Sequence, residues 1–251
     1  MVRIAFVICF LLSSACCAEV RRPMPQVTPK LEAYSEALKA IALKSPAALK
    51  LAVFSSTHCI PYAEPTILTT KGYTALFVAT KLWRESTHVN GIGAYCPKIQ
   101  SLYLNQELES APHMGFLVLH ELGHCEDAAK GVFDPDSFSG CIETECRSFG
   151  LTYRAADDFT DHRFYGAVKR VLENSRMLWD SEKSCSIVTL TQAAQIDMLL
   201  GFPRARSMSD HDIRRTFYTV YYNWVMAPSD AARREFIRRW YGYEKKMFKK
   251  P

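Results

Sequence analysis

Residues 120–124, with the sequence HELGH, constrain the fold of this chain more than any other feature. They overlap an apolar run over 114–122, which predicts a helix buried on nearly all sides. In a helix, His120 and His124 share one face, so both imidazoles can bind one metal ion. Glu121 lies about 100° around that helix, within reach of a water at the metal. Unpaired polar groups in a core are costly, and zinc is the partner that suits these three.

The flanking residues favour the same interpretation. Apolar and polar residues alternate over 99–105, which predicts a half-buried strand. Ser110 then offers a hydroxyl cap, and Pro112 suits the first turn of a helix. His113 is seven residues before His120, roughly 10 Å along the helix axis, which is too far to share a metal. We expect His113 to be a surface residue at the helix start.

A zinc ion that acts on a substrate has three protein ligands and one open position, so a third ligand must come from elsewhere in the chain. A metzincin would place a glycine three residues after His124 and a histidine six residues after it. Asp127 and Lys130 occupy those positions, which excludes that class. Residues 141–150 are typical of a second helix that presents Glu143.

At this point the chain resembles the gluzincin metallopeptidases, in particular the CAAX-prenyl-protease-like and IrrE-like pattern. That pattern has an apolar run into HELGH and a later helix of the form Glu-x-x-Ala-Asp/Asn-x-Phe-Ala, whose glutamate is the third ligand. The resemblance covers about residues 99–152 and places Glu143 on that glutamate, with Cys146, Arg147, Phe149 and Gly150 on the four motif positions that follow. It implies a zinc site formed by His120, His124 and Glu143.

Arg147 departs from the pattern, because a guanidinium has no acceptor for the hydrogen bond of a ligand imidazole. Asp127 lies on the ligand face of the first helix and can accept an imidazole N–H or pair with Arg147. A solvated carboxylate is the alternative for Asp127. Glu145 is two residues from Glu143 and points away from it, so we rank it as the weaker ligand candidate.

Residues 161–166 resemble the Asp-x-x-Tyr-Gly element of aspzincins, but they have three residues rather than two between the aspartate and the tyrosine. Asp161 is a second-choice ligand, and His162 and Tyr165 are candidate oxyanion donors. Each is more often a plain surface or packing residue.

Residues 1–18 are typical of a secretory signal peptide, with Arg3 near the start, a nine-residue apolar stretch and predicted cleavage after Ala18. The apolar stretch is shorter than the about 18 residues that a membrane span needs. A lipoprotein cut before Cys16 or Cys17 is the alternative, although a serine then stands where a lipobox prefers leucine. Either way we expect an exported protein, periplasmic or secreted.

Cleavage removes three of the nine cysteines and leaves an even number, which in an exported chain predicts disulfides. A bond between Cys125 and Cys146 would clamp the two ligand-bearing helices, and a thiolate ligand is the less favoured alternative. The six that remain are Cys59, Cys96, Cys125, Cys141, Cys146 and Cys185.

The formal charge falls from +5 to +4 when Arg3 is lost, which is too small to indicate a nucleic-acid partner. Residues 233–251 concentrate the positive charge, with aromatic residues at helical spacing. A terminal helix packed on the core with a solvated basic face is the plain interpretation, and contact with an anionic envelope surface is the alternative.

The fold class that these patterns predict is α+β and mainly α, zincin-like, with a small sheet beside the HELGH helix. We expect helices near 30–44, 141–156, 161–180, 189–200, 209–226 and 229–248, with caps at Asp210 and Ser229. Residues 66–70 and 73–80 have strand-like composition, although a helix over 74–85 fits the second nearly as well. Residues 19–251 would then form a single zincin-like catalytic domain with a helical C-terminal half.

The function expected from these features is that of an exported zinc metallopeptidase acting on peptide or related amide bonds. Glu121 would be the general base, and a peptide or protein would be the substrate. A zincin scaffold that binds zinc or a partner without turnover is the alternative, which Arg147 motivates and the presence of Glu121 opposes. The sequence does not indicate an oligomeric state.

Overall fold

The computed structural model describes residues 29–58, 74–78, 93–96 and 101–244. Within these ranges the chain is mainly helical, as predicted, with two small sheets. The helices are α1 (Pro29–Ala42), α2 (Pro46–His58), α3 (Ala111–Ala129), α4 (Phe138–Phe159), α5 (Phe164–Glu173), α6 (Leu190–Leu200), α7 (Met208–Met226) and α8 (Asp230–Trp240). The strands are β1 (Thr74–Val78), β2 (Gly93–Cys96), β3 (Ser101–Asn105), β4 (Leu178–Asp180) and β5 (Cys185–Ile187).

The larger sheet has the order β1-β3-β2, with β1 parallel and β2 antiparallel to the central strand β3. Strand β2 is at one edge of these three strands and packs against α3. The smaller sheet is the antiparallel pair of β4 and β5. The predicted small sheet beside the HELGH helix is therefore present.

Helix α3 is the centre of the core, and α1 and α4 pack on it most extensively. Its apolar residues are buried on all sides, as the run over 114–122 predicts, and Phe116 and Leu119 have no exposed surface. Phe116 stacks on Phe217 of α7 and meets Phe164 of α5 edge to face. These contacts hold the C-terminal helices against α3.

Most element predictions are confirmed, with three corrections. The helix predicted over 229–248 ends at Trp240, and residues 241–244 are not helical. Residues 101–105 of the predicted strand form β3, and residues 74–78 form a strand rather than a helix. The helix predicted over 161–180 is wrong beyond residue 173, because the chain turns there and enters β4. Ser229 caps α8 as predicted, but Ser207 rather than Asp210 caps α7. Asp210 lies in the first turn of α7, where it is fully buried and paired with Arg214.

Some predicted features lie outside the described residues. They are the signal peptide over 1–18, the strand-like segment 66–70, Cys59 and the chain after residue 244. Among the described helices, none combines the length and the apolar character needed to cross a membrane.

Candidate metal centre

Helix α3 positions the two histidines of the centre. His120 and His124 are four residues apart, so they lie on the same face of the helix, and their ring centroids are 4.8 Å apart. Both side chains are buried. The prediction that the two histidines share one face of a buried helix is therefore confirmed.

Helix α4 supplies the third side chain, Glu145. Its Oε2 lies 3.3 Å from Nε2 of His120, and its Oε1 lies 3.7 Å from Nε2 of His124. One ligand atom from each of the three residues lies within 4.8 Å of the others. The packing of α3 and α4 brings two imidazoles and one carboxylate together. Such a set of side chains can hold a metal ion.

The prediction of Glu143 as the third residue is wrong in its register. Glu143 is 41 % exposed and forms an ion pair with Arg234 of α8, away from the histidines. Residues two apart in a helix point about 200° from each other, so only one of the two glutamates can face α3. The face of α4 that packs on α3 carries Ser148 and Phe149, and Phe149 lies 4.5 Å from the His120 ring.

Once the face of α4 that packs on α3 is known, helical spacing identifies Glu145. Ser148 and Phe149 follow it by three and four positions, which puts all three on one helical face. The family pattern instead places its phenylalanine six positions after the glutamate, and alignment on Phe149 therefore selected Glu143.

Glu121 faces the same region without joining the three-residue cluster. It is 2 % exposed, and its Oε2 has no hydrogen-bond partner among the described residues. Strand β2 passes directly over it, because a Cβ at Gly93 would lie 2.7 Å from Oε1 of Glu121 and 2.6 Å from Cδ1 of Leu117. Only glycine allows the strand to approach the helix this closely.

Burial and the nearby charge of Glu145 raise the pKa of Glu121 well above its usual range. Burial also acts to raise the pKa of Glu145, but its close contacts with the His120 and His124 imidazoles outweigh burial and lower that pKa. The pKa of His124 is lowered to about 4, mainly by burial. These shifts favour the carboxylate form of Glu145 and the neutral form of His124, which are the forms that bind metals, and they favour the protonated form of Glu121.

Two side chains support the cluster from behind. The Ser148 hydroxyl lies 3.1 Å from Nδ1 of His124, which leaves Nε2 directed at Glu145. A Cβ at Gly123 would lie 2.8 Å from the Ser148 oxygen, so the glycine of HELGH allows α4 to come this close. Tyr241, directly after α8, hydrogen-bonds Glu145. No local pattern pointed to Ser148 or Tyr241, because both contacts form only when distant segments pack.

The predicted pairing of Asp127 with Arg147 is confirmed. Nε of Arg147 donates to Oδ2 of Asp127 over 2.7 Å, and the guanidinium also donates to Thr144 and to the carbonyl oxygen of Val132. Asp127 is buried, which contradicts the solvated alternative. Ser148, rather than Asp127, is the partner of His124.

The lower-ranked candidates lie outside the cluster. Asp161 pairs with Lys44, and His162 pairs with Asp157 in an exposed position. Tyr165 is partly exposed on α5. The expectation for His113 is wrong, since it is buried between Ser110 and Tyr218 rather than at the surface.

The predicted cysteine pairing is also wrong. Cys141, Cys146 and Cys185 are free thiols, so the bond between Cys125 and Cys146 is not formed. Cys146 faces α8, where Glu143 and Arg234 influence it, rather than α3. The side chains of Cys59 and Cys96 are outside the described part of the structure.

A pocket of about 60 Å³ opens next to His120 and Glu121. It lies between α3, α4, α7 and the end of α8, and Phe116, Phe149, Phe217 and Val220 are among its apolar lining residues. Apolar walls around a few polar groups are typical of a site that binds a small group. The pocket therefore adjoins the cluster of His120, His124 and Glu145.

Within the described residues, the centre passes a test of fit for a metal ion. Oε2 of Glu121 and Oε2 of Glu145 are both buried without a hydrogen-bond partner, and buried carboxylate oxygens of this kind need a cation or a water as a partner. A set of two imidazoles and one carboxylate suits zinc. Comparisons of the chain with protein-family models, with curated proteins and with solved structures gave no match. The assignment of this site therefore depends on its own residues and geometry.

Proposed function

We propose that this protein is a zinc-dependent metallopeptidase with a zincin-like catalytic domain over residues 19–251. His120, His124 and Glu145 would hold the zinc, with Glu145 taking the role first assigned to Glu143. The observation that carries the proposal is the second carboxyl group, because Glu121 is buried beside the cluster with an orphaned oxygen. A purely structural metal site has no use for such a group.

Glu121 has the properties of a general base and acid. A zinc ion at this site would supply a Lewis acid for the scissile carbonyl and lower the pKa of water toward neutrality. The Glu121 carboxylate would take a proton from the attacking water and pass it to the leaving amine. A pKa raised by burial brings this carboxyl closer to the working pH, which favours both transfers.

The edge of the sheet offers a place for the substrate backbone. Strand β2 is at the edge of the described sheet, and Gly93 at its start touches Glu121. An extended peptide that adds to this edge would pass the metal centre with its backbone held by hydrogen bonds. This arrangement supports a peptide as the substrate.

Export remains part of the proposal, and it depends on the signal-like residues 1–18 alone. The free thiols of Cys141, Cys146 and Cys185 remove the support that a framework of three disulfides would have provided. Contact with an anionic envelope surface gains no support from α8, because Arg233, Arg234, Arg238 and Arg239 each pair with a carboxylate.

Metal analysis and a peptide-cleavage screen test this function on the full chain. Glu121→Gln should keep stoichiometric zinc and lose about 10²–10⁴-fold in hydrolysis rate, the usual contribution of general-base catalysis. Glu143→Gln is the matched control, since it makes the same change on a surface ion pair, and it should keep both properties. Zinc binding without cleavage of any peptide would favour the alternative of a binding module, and near-normal activity of Glu121→Gln would refute the mechanism.

A further inference from the structure

The pocket beside the metal centre has a defined size and place. Its volume of about 60 Å³ is room for about four to six waters, which corresponds to a side chain of three to five heavy atoms. It begins at His120 and Glu121, where the scissile bond would lie under the proposed function. A side chain next to that bond is therefore the group that would enter it.

The lining of the pocket disfavours a charged side chain. Apart from His120 and Glu121 at the metal centre, its described lining residues are uncharged. A carboxylate in the pocket would meet Glu121 and Glu145, and an ammonium would lose its hydration without a dedicated partner. The occupant should be neutral.

One hydroxyl group in the described pocket wall has no partner. Four hydroxyl-bearing residues line the pocket, and three of the hydroxyls are engaged: Thr152 with the Ser148 carbonyl, Thr216 with the Asp212 carbonyl and Tyr241 with Glu145. The fourth, the hydroxyl of Tyr153, is buried and has no hydrogen-bond partner among the described residues. An orphaned hydroxyl in a pocket wall requires a partner from the occupant or from water.

The ring of Tyr153 is held in place from several directions. It stacks on Phe149 with an interplanar angle of 21°, and it meets Phe217 and Tyr221 edge to face. Long helical side chains lean toward the N-terminus of their helix, and Glu145 lies two turns N-terminal on α4. The hydroxyl is thus a fixed hydrogen-bonding group on the metal side of the pocket.

We propose that this pocket binds a neutral substrate side chain that ends in a hydroxyl or an amide, of the size of threonine or asparagine, and that the Tyr153 hydroxyl selects it. This inference rests on the proposed peptidase function and names the residue type next to the scissile bond. Valine and leucine have nearly the same shapes as threonine and asparagine, but would leave the Tyr153 hydroxyl unpaired. Because an unpaired buried polar group is costly, the polar side chain should be preferred over its apolar counterpart by about 10–100-fold.

Two measurements on the zinc-loaded full chain test the selection. In the first, peptides carry threonine or valine, and asparagine or leucine, at each position around the scissile bond. At one position kcat/KM should favour the polar member of both pairs by about 10–100-fold. In Tyr153→Phe, which keeps the ring and removes only the hydroxyl, the ratio should fall to one or below.

The second measurement does not depend on turnover. Binding of N-acetyl-threonine amide and N-acetyl-valine amide, followed by NMR titration, should show the same preference and the same loss in Tyr153→Phe. Tyr221→Phe is the control, because it removes a hydroxyl from a tyrosine that touches Tyr153 without lining the pocket. It should keep the wild-type ratio.

The outcomes separate the two proposals. Cleavage with no preference within either pair at any position would overturn the pocket assignment and leave the peptidase intact. Absence of cleavage, with a threonine preference in binding that Tyr153→Phe abolishes, would overturn the peptidase and leave the pocket. Equal binding of both amides by the wild-type protein would mean that water satisfies Tyr153, which also overturns the assignment.

Discussion

Helix α3 carries a buried polar cluster at each end, and the two clusters are built differently. Near its N-terminus, His113 lies 3.1 Å from both the Ser110 and the Tyr218 hydroxyl oxygens. Behind Tyr218, Arg214 forms buried ion pairs with Asp197 and Asp210 over 2.7 and 2.8 Å. We call this group of residues the structural cluster.

At the other end is the candidate metal centre of His120, His124 and Glu145, with Glu121 beside it. This group is also buried, but some of its polar atoms are unpaired. In the described part of the chain, four buried side-chain atoms have no hydrogen-bond partner: Glu121 Oε2, Glu145 Oε2, Tyr153 OH and Asp157 Oδ1. Three of these atoms belong to the metal centre and its pocket, and none belongs to the structural cluster. Since native proteins pair nearly all such atoms, the two clusters differ in kind: the first is fully paired within the fold, and the second leaves polar atoms that a ligand could pair.

The largest effect should come from the structural cluster. Arg214→Met keeps most of the side-chain volume but leaves two buried carboxylates without their cation. Breaking a buried ion pair in this way should lower the free energy of unfolding by about 3–5 kcal/mol. Chemical denaturation measures the change. If the variant has wild-type stability, the structural cluster does not stabilise the fold as proposed. If the folded variant loses zinc, the two clusters are not independent.

The second effect concerns the third ligand. Glu145→Ala should weaken zinc affinity by more than the about 10–100-fold that loss of a supporting residue costs. Glu143→Ala is the matched control on the same helix and should change it little, because Glu143 pairs with Arg234 at the surface. Competition with a chelator measures both. The opposite ranking would restore the register first expected from the sequence.

A smaller effect should follow from the support behind His124. Ser148→Ala removes the hydroxyl that holds Nδ1 and should weaken zinc affinity about 10–100-fold without changing the stoichiometry. Ser137→Ala weakens the N-terminal cap of the same helix and controls for loss of helix stability. Equal zinc affinity in Ser148→Ala and the wild type would show that Ser148 has no part in orienting the ligand.

The smallest effect is a gain in stability at the metal centre. Burial and Glu145 raise the pKa of Glu121 in the folded state, so near pH 7 folding works against ionisation of this group. Metal-free Glu121→Gln should therefore be more stable than the wild type by about 0.5–2 kcal/mol. Gains of this size are common when a residue that costs stability is replaced. The gain should shrink as the pH falls toward the unfolded pKa of Glu121, near the usual 4.5, because the wild-type carboxyl is then protonated in both states. Denaturation at several pH values measures it, and a loss of stability at pH 7 would contradict it.

Local patterns predicted much of the fold because they depend on neighbouring residues. The apolar run over 114–122 was sufficient to predict a buried α3, and the four-residue spacing placed His120 and His124 together. Strand β3 followed from its alternation, and the cap of α8 from Ser229. The failed helix over 174–180 shows the limit of this reasoning, because β4 forms only by pairing with β5.

The sequence by itself determined that α3 is buried and that its two histidines share one face with Glu121 about 100° away, because a helix places residues by spacing alone. Only the tertiary structure decided between Glu143 and Glu145, since that choice depends on which face of α4 packs against α3. It also decided that His113 is buried, because Tyr218 approaches it from a helix about a hundred residues away in the chain. Contacts between distant segments depend on how whole faces pack, and no local spacing encodes them.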